Sequence, residues 1–206
     1  MATETTGKQR RLRRPARREL IVDAALAEFA EHGYDAASMG RIGAAAGITR
    51  AVLYDHFPSK RALFDTLLQS EQAVLLEHLS AAIAADAPAE ERMRRTFDAM
   101  FGFAEERPAT WRLLFPEHAP VDPGAAADHR RHRAEANRLM AAMLAPDAKR
   151  AGLDPESTIA QAVFALQRAA VRGMVDWWRA HPTVTRGELV EAAMQALWIG
   201  ARGPSD

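Results

Sequence analysis

Cysteine is absent from the 206-residue chain, which removes disulfides, thiolate nucleophiles, zinc knuckles and dithiol redox centres together. Lysine is scarce, 3 residues against 24 arginines, tyrosine occurs twice, and no apolar run approaches the roughly 20 residues of a membrane helix. The basic N-terminus has no apolar stretch behind it and does not read as a secretory signal. A soluble, cytoplasmic setting with no membrane partner is expected. Sustained period-2 alternation of β-branched and aromatic residues is also lacking, which argues against a sheet. What remains is a composition of 48% apolar residues, suited to one or two modest domains. A chain of this length buries roughly 70% of its unfolded surface without a staple or metal. No cofactor is expected.

The charges balance, 27 basic against 27 acidic, but they are unevenly spread. Residues 1–64 carry 11 basic and 7 acidic groups, and the remainder carries 16 and 20. Seven of the basic groups lie in the first 18 residues against the single acid Glu4. A basic end on a neutral protein points to a polyanion. Arginine is abundant throughout, so charge alone supports nucleic acid only weakly.

Apolar positions recur at helical spacing almost everywhere, which predicts an all-α protein of about nine helices. Residues 1–14 read as a flexible basic arm. Pro15 opens the first helix, with Ile21, Ala24, Ala25 and Phe29 on one face; Gly33 ends it, and Tyr34 supplies the hydrophobic contact of a Schellman cap. Ser38 caps a short helix over 39–46, Gly47 breaks it, and Thr49 caps another from Arg50 to about Phe57. A long helix over 60–85 follows, then helices over 89–106 and from Pro108. Pro116 to Gly124 reads as a loop. Further helices are expected over 125–145, from an Asp154-Pro155 start to about Ala180, and over 186–201, where Thr185 to Glu188 matches a capping box.

Two short helices joined through Ala46-Gly47-Ile48-Thr49 on a support helix have the form of a helix-turn-helix. Gly43 and Ala46 are small where the helices cross, Gly47 permits positive φ, and Ile42, Ile48 and Leu53 plug the space between. Arg50, Ala51, Val52, Tyr54 and His56 are left outward, where a recognition helix meets base edges and phosphates.

The stretch Arg17 to Leu68 resembles the TetR family of bacterial transcription regulators. Its most specific part is Gly47-Ile-Thr-Arg-Ala-Val-Leu-Tyr-Asp-His-Phe-Pro-Ser-Lys-Arg-Ala-Leu-Phe64. The resemblance implies a helix-turn-helix DNA-binding domain (15–60) and a larger domain (61–206) that binds an effector and dimerises. It implies a homodimer on a double-stranded DNA operator of pseudo-palindromic sequence, with no enzyme activity. Thr49, Tyr54, His56 and Lys60 then take phosphate contacts, and Arg50, Ala51 and Val52 face the major groove. Ser38 caps and also touches phosphate, and Arg13, Arg14 and Arg17 of the arm contribute in the same way. Two positions depart from the pattern. Gly43 stands where alanine is frequent, and Asp55 places a carboxylate near the phosphates, expected to pair with Arg50 or Arg61.

An enzyme reading fails on motifs. The glycines from Gly40 to Gly47 have neither a preceding strand nor a G-x-G-x-x-G or Walker lysine. No nucleophile elbow or apolar-face carboxylate pair occurs either. His129 and His132, with Asp128 or His118, have ligand spacing, but Arg130, Arg131 and Arg133 surround them, and the stretch reads as a solvated helix face. An architectural DNA-binding protein without effector is the alternative, and an internal cavity discriminates. Candidate lining residues are Phe97, Met100, Phe101, Trp111, Phe115, Met140, Met143, Phe164 and Arg168, suited to a small apolar or amphipathic effector. Arg168 meets an anionic head group or pairs with Asp98 or Glu135. For the dimer interface, Ala162, Ala165, Ala169 and Gly173 form a small-residue ridge, and Val190, Met194, Leu197 and Trp198 an apolar face. Trp177 and Trp178 lie at its rim or in the core.

Overall fold

The computed structural model describes residues 14–83, 87–150, 152, 154 and 156–199. These form nine α-helices: α1 (Arg14–Ala36), α2 (Met39–Ala45), α3 (Arg50–His56), α4 (Lys60–Ile83), α5 (Ala89–Glu106), α6 (Pro108–Leu114), α7 (Pro123–Arg150), α8 (Thr158–Arg179) and α9 (Arg186–Ala193), the last running into a π-helical segment, Met194–Ile199. No strand occurs among the described residues.

Local chemistry sets most of the boundaries. Ser38 accepts from Gly40 N–H and Thr49 from Val52 N–H, so each short helix has its side-chain cap. The Thr185–Glu188 capping box is complete in both directions. Gly47, at φ +66°, turns the chain between α2 and α3. Gly33, at φ 69° and ψ 173°, kinks α1 and does not close a left-handed cap, so helix resumes briefly as far as Ala36. Tyr34 still packs inward, stacked on Phe29 and tilted against Phe64. Two ends differ from expectation. Helix α7 continues through Pro146 to Arg150. Helix α8 is capped by Ser157, which accepts from Ala160 N–H, while Asp154 accepts from Glu156 N–H one turn earlier.

Two apolar cores lie along α4. The first joins Ile21, Phe29, Ile42 and Leu53 to Leu63, Phe64, Leu67 and Leu68 of α4, and also takes Leu113 and Ala125. The second gathers Leu75, Leu79 and Ile83 with Phe97, Phe101, Trp111, Val175, Leu189, Val190 and Met194. Twenty-four residues of α4 span about 36 Å, so one rigid element serves both cores.

Candidate nucleic-acid interface and interior cavity

The helix-turn-helix is held from within by buried polar clips. Glu28, buried on α1, accepts from Ser38 N–H at 2.8 Å and Arg41 Nε at 2.7 Å. The Arg41 hydrogen bond, opposed by burial, holds its carboxyl below the ordinary range. These bonds fix α2 on α1. Helix α3 is then presented with Arg50, Ala51 and Tyr54 exposed, Val52 and His56 half-buried, and Leu53 fully buried. The Arg50 guanidinium lies 5.5 Å from the centre of the Tyr54 ring. Arg14, Arg17, Val52, Asp55 and His56 line a shallow cleft between the start of α1 and α3. Burial, then the charges of Arg14 and Arg17, pushes the His56 imidazole below its ordinary value. It is therefore neutral at pH 7 and has one ring N–H to offer a phosphate. Arg13 lies outside the described residues.

Lys60 corrects one expectation. Its ammonium does not point to the outer face; it donates to the carbonyls of Tyr34 (2.8 Å), Asp35 (3.2 Å) and Ala37 (3.1 Å) and sits over the Tyr34 ring. All three donors of the ammonium are thereby used to anchor α4 to the α1–α2 corner. The pairing expected for Asp55 is also absent, because Arg61 is engaged by Asp128 and Arg50 lies on Tyr54.

A second set of clips ties this head to α7. The Asp35 carboxylate accepts from Val121 N–H at 2.7 Å and Asp122 N–H at 3.0 Å, and these bonds hold it below the usual carboxylate value. Arg61 forks onto the buried Asp128 at 2.6 and 3.1 Å, and Arg131 adds a third bond at 2.7 Å. The Arg61 bond is the main cause that takes Asp128 down to about 2. One turn further, Asp65 of α4 accepts from Arg131 and from His132 Nε2, and Gln72 donates to the His132 carbonyl.

Between α4, α5, α6, α7 and α8 lies a cavity of about 140 Å3. Seven of the nine expected residues line it: Phe97, Met100, Trp111, Phe115, Met140, Phe164 and Arg168. Phe101 does not; it is wholly buried in the second core, against which Met143 packs from outside. Arg168 pairs with neither acid considered for it. Asp98 is bound to Arg186, and the closest partner of Arg168 is Asn137 Oδ1, at 3.4 Å. The solvated-face reading of residues 129–133 holds for Arg130, Arg131 and Arg133, which are exposed, and fails for the two histidines. His129 is buried, His132 is half-buried, and both line the cavity with Arg133. His129 Nε2 donates to the Leu114 carbonyl, and burial keeps the ring neutral. A signal for these residues was present: His129, His132, Arg133, Ala136, Asn137, Met140 and Leu144 form one stripe at helical spacing, whose polar start continues into an apolar end.

On α8, Ala162, Ala165, Ala169 and Gly173 are all exposed. Ile159, Leu166 and Trp177 lie exposed on the same helix at 67%, 64% and 49%. Ile159, Ala162, Leu166, Ala169, Gly173 and Trp177 follow one another at spacings of three and four, the pattern of a helix-pairing seam. The α9 face turns out differently. Val190 and Met194 are buried in the subunit's own second core, because α9 packs its apolar side on α5. Leu197 is half-buried there, and the Trp198 side chain lies outside the described residues. Trp178 is half-buried, its indole N–H donating to the Val184 carbonyl.

Residues 21–67 match the family model for bacterial regulatory proteins of the tetR family. A curated relative, the HTH-type transcriptional activator FasR of Mycolicibacterium smegmatis, is 34% identical over 117 residues, covering 57% of this chain and 53% of that protein. The chain spans about half the length of the curated relatives it matches. Among solved structures, a TetR-like transcriptional regulator from Rhodococcus sp. RHA1 superposes with a TM-score of 0.73 at 22% identity, over 94% of this chain and all of that one. FadR from Bacillus subtilis, solved in complex with stearoyl-CoA, gives a TM-score of 0.72 at 16% identity, over 91% of this chain and 99% of that one. No helix among the described residues is long and apolar enough to cross a membrane.

Proposed function

We propose that the chain, whose residues 21–67 match the family model for bacterial regulatory proteins of the tetR family, acts as a homodimeric, ligand-responsive repressor of transcription. The observation that carries this reading is the pairing of an outward, capped recognition helix with an interior cavity on one rigid helix, α4. Arg50 has the donor fork to read guanine, and the methyls of Ala51 and Val52 suit thymine. Ser38, Thr49, Tyr54 and His56, with Arg14 and Arg17, supply groups for phosphates, which set register without reading sequence. One chain presents one α3. Two copies joined along the exposed α8 seam would present two, as a pseudo-palindromic operator with half-sites about 34 Å apart requires.

The effector reading rests on connectivity. Leu68, Gln72, Leu75 and Leu76 of α4 line the cavity, and the same helix begins at Lys60, clipped into the head. A small apolar or amphipathic effector that favours a different tilt of α4 changes the separation of the two heads. Operator and effector then weaken each other by the same factor, typically a coupling of about 1–3 kcal/mol. FadR, solved with stearoyl-CoA, supports an amphipathic ligand for this fold. The sign of regulation follows from where the operator lies relative to the promoter; the relative FasR is named an activator.

Selection of bound duplexes from random DNA tests the reading. The expected product is an enriched inverted repeat bound by two chains, with base preference at one position per half-site relaxed by Arg50→Ala. Enrichment of nothing, or binding as a single chain unchanged by operator, overturns it.

A further inference from the structure

We propose that the cavity takes an amphipathic organic acid, its carboxylate or phosphate head held between Arg133 of α7 and Arg168 of α8 and its apolar body lying among Phe97, Met100, Trp111 and Phe164. This deepens the effector reading above and rests on it.

Charge is the first argument. Two guanidiniums and two imidazoles line the cavity together with amides and a hydroxyl, and no carboxylate does so among the described residues. The acids nearby are engaged elsewhere: Asp128 with Arg61 and Arg131, Asp65 with Arg131 and His132, and Asp98 with Arg186. Neither Arg133 nor Arg168 has an acidic partner among the described residues, and Arg168 has only its long bond to Asn137. Burial and then the neighbouring Arg133 push Arg168 below its ordinary value, the direction expected of a cation without counter-charge. Because His129 is neutral with its Nε2–H already donated, the positive charge is concentrated at the two arginines. Paired guanidinium forks match carboxylate and phosphate geometry, and an anion between them relieves both desolvation and mutual repulsion.

The apolar part of the lining supplies the second argument. It is aromatic and methionine-rich, and Trp111, 1% exposed, has an indole N–H with no hydrogen-bond partner among the described residues. An orphaned buried donor is rare and costly, and an ester, ether or hydroxyl oxygen on the ligand body would satisfy it. Size is the third. About 140 Å3 is close to the roughly 150 Å3 apolar cavity that accepts one benzene ring, so the body is a single ring or a short chain. Arg133 is exposed, leaving the head on the solvent side of the cavity.

Calorimetric titration of the full chain without DNA, using benzoate, phenyl phosphate and benzyl alcohol, separates the possibilities. At least one anion is expected to bind about tenfold or more tightly than the alcohol, and the tighter of the two anions identifies the head. The Arg133→Gln, Arg168→Gln double variant should bring the anion down to the level of the alcohol. Arg168→Lys, which keeps the charge and loses the fork, should reduce the preference several-fold and serves if the double variant does not fold. Equal binding of alcohol and anions, or a preference untouched by these variants, overturns the head site while leaving an effector cavity. Failure of all three probes to bind overturns the head site and the effector reading together.

Discussion

In the head, each buried polar group is matched. Glu28 is satisfied by Ser38 and Arg41, and Lys60 spends its three donors on three carbonyls. Around the cavity, among the described residues, Arg133 and Arg168 lack a counter-charge and the Trp111 N–H lacks an acceptor. Apolar packing differs in parallel. Leu53, Ile42 and Ile21 are fully buried in a closed core, whereas Met93, Met100 and Met140 are half-buried beside open space. A surface that reads DNA must be held in one geometry, which satisfied polar networks favour. A ligand region can leave groups unpaired because the missing partner arrives from outside. Methionine suits that role, since its flexible thioether adapts to what fills the space.

The contrast predicts unequal costs of truncation. Leu53→Ala removes three heavy atoms' worth of contact from a closed core and should cost roughly 2–5 kcal/mol. Met100→Ala, beside an existing void, should cost well under half as much. Urea unfolding of both variants measures the difference, and equal costs would remove the distinction between the two regions. The same placement bears on filling the cavity. Met100→Trp should occupy it and abolish effector binding in a folded chain, whereas Phe101→Trp would overpack a residue that is 0% exposed.

Lys60→Ala comes next. Loss of the ammonium strands carbonyls at Tyr34, Asp35 and Ala37, so the chain should lose about 1–3 kcal/mol of stability. The salt dependence of DNA binding should stay as in the parent chain. A stability unchanged by the substitution, with the salt slope shallower by about one counterion, would instead place Lys60 on a phosphate.

Signals confined to a few consecutive residues were legible in the sequence. Ser38 and Thr49 cap, Gly47 turns, and Thr185 with Glu188 closes a box, because each needs only its own neighbours. Lys60 was not legible in the same way: its partners lie 23 to 26 residues away, and a lysine at a helix start looks identical whether it serves a phosphate or a carbonyl. The α8 start was misplaced for a related reason, since Asp154 and Ser157 are both good caps and only the backbone path chooses Ser157. The α9 stripe was correctly seen as apolar, but periodicity gives a face without saying what covers it; α5 covers Val190 and Met194. Within the cavity, aromatic and methionine residues announced themselves. His129, His132 and Arg133 share the spacing of that lining stripe, but polarity on a helix usually means solvent, so spacing alone does not assign them to the cavity.

The clips between head and α7 predict an acid response. Asp128 is taken from 3.8 to about 2 chiefly by Arg61, so its contribution is complete above pH 4 and fades as pH falls through about 2. The melting temperature should drop across that window. Asp128→Asn should melt lower at pH 6 and show a shallower acid drop. Glu28 and Asp35, also held below their ordinary values, account for the slope that remains. An Asp128→Asn profile parallel to that of the parent chain would show that the Arg61–Asp128 link contributes nothing to stability.

The smallest effect lies inside the head, where two glycines four residues apart play different parts. A Cβ built on Gly47 meets nothing within 4 Å, yet the residue sits at φ +66°. Alanine there must adopt the left-handed region, at a cost of roughly 1–2 kcal/mol. Gly43 is in helical conformation within α2, and a Cβ there would lie 3.4 Å from the Ile48 carbonyl oxygen and 3.7 Å from Leu53 Cδ2, ordinary contact distances. The crossing of α2 and α3 is therefore close without requiring glycine, and Gly43→Ala gains helix propensity of up to about 1 kcal/mol. Thermal melting should place Gly43→Ala at or slightly above the parent chain and Gly47→Ala below it. A destabilised Gly43→Ala would mean that α2 and α3 approach more tightly than this contact allows, and that the head's rigidity depends on the missing methyl as well as on its clips.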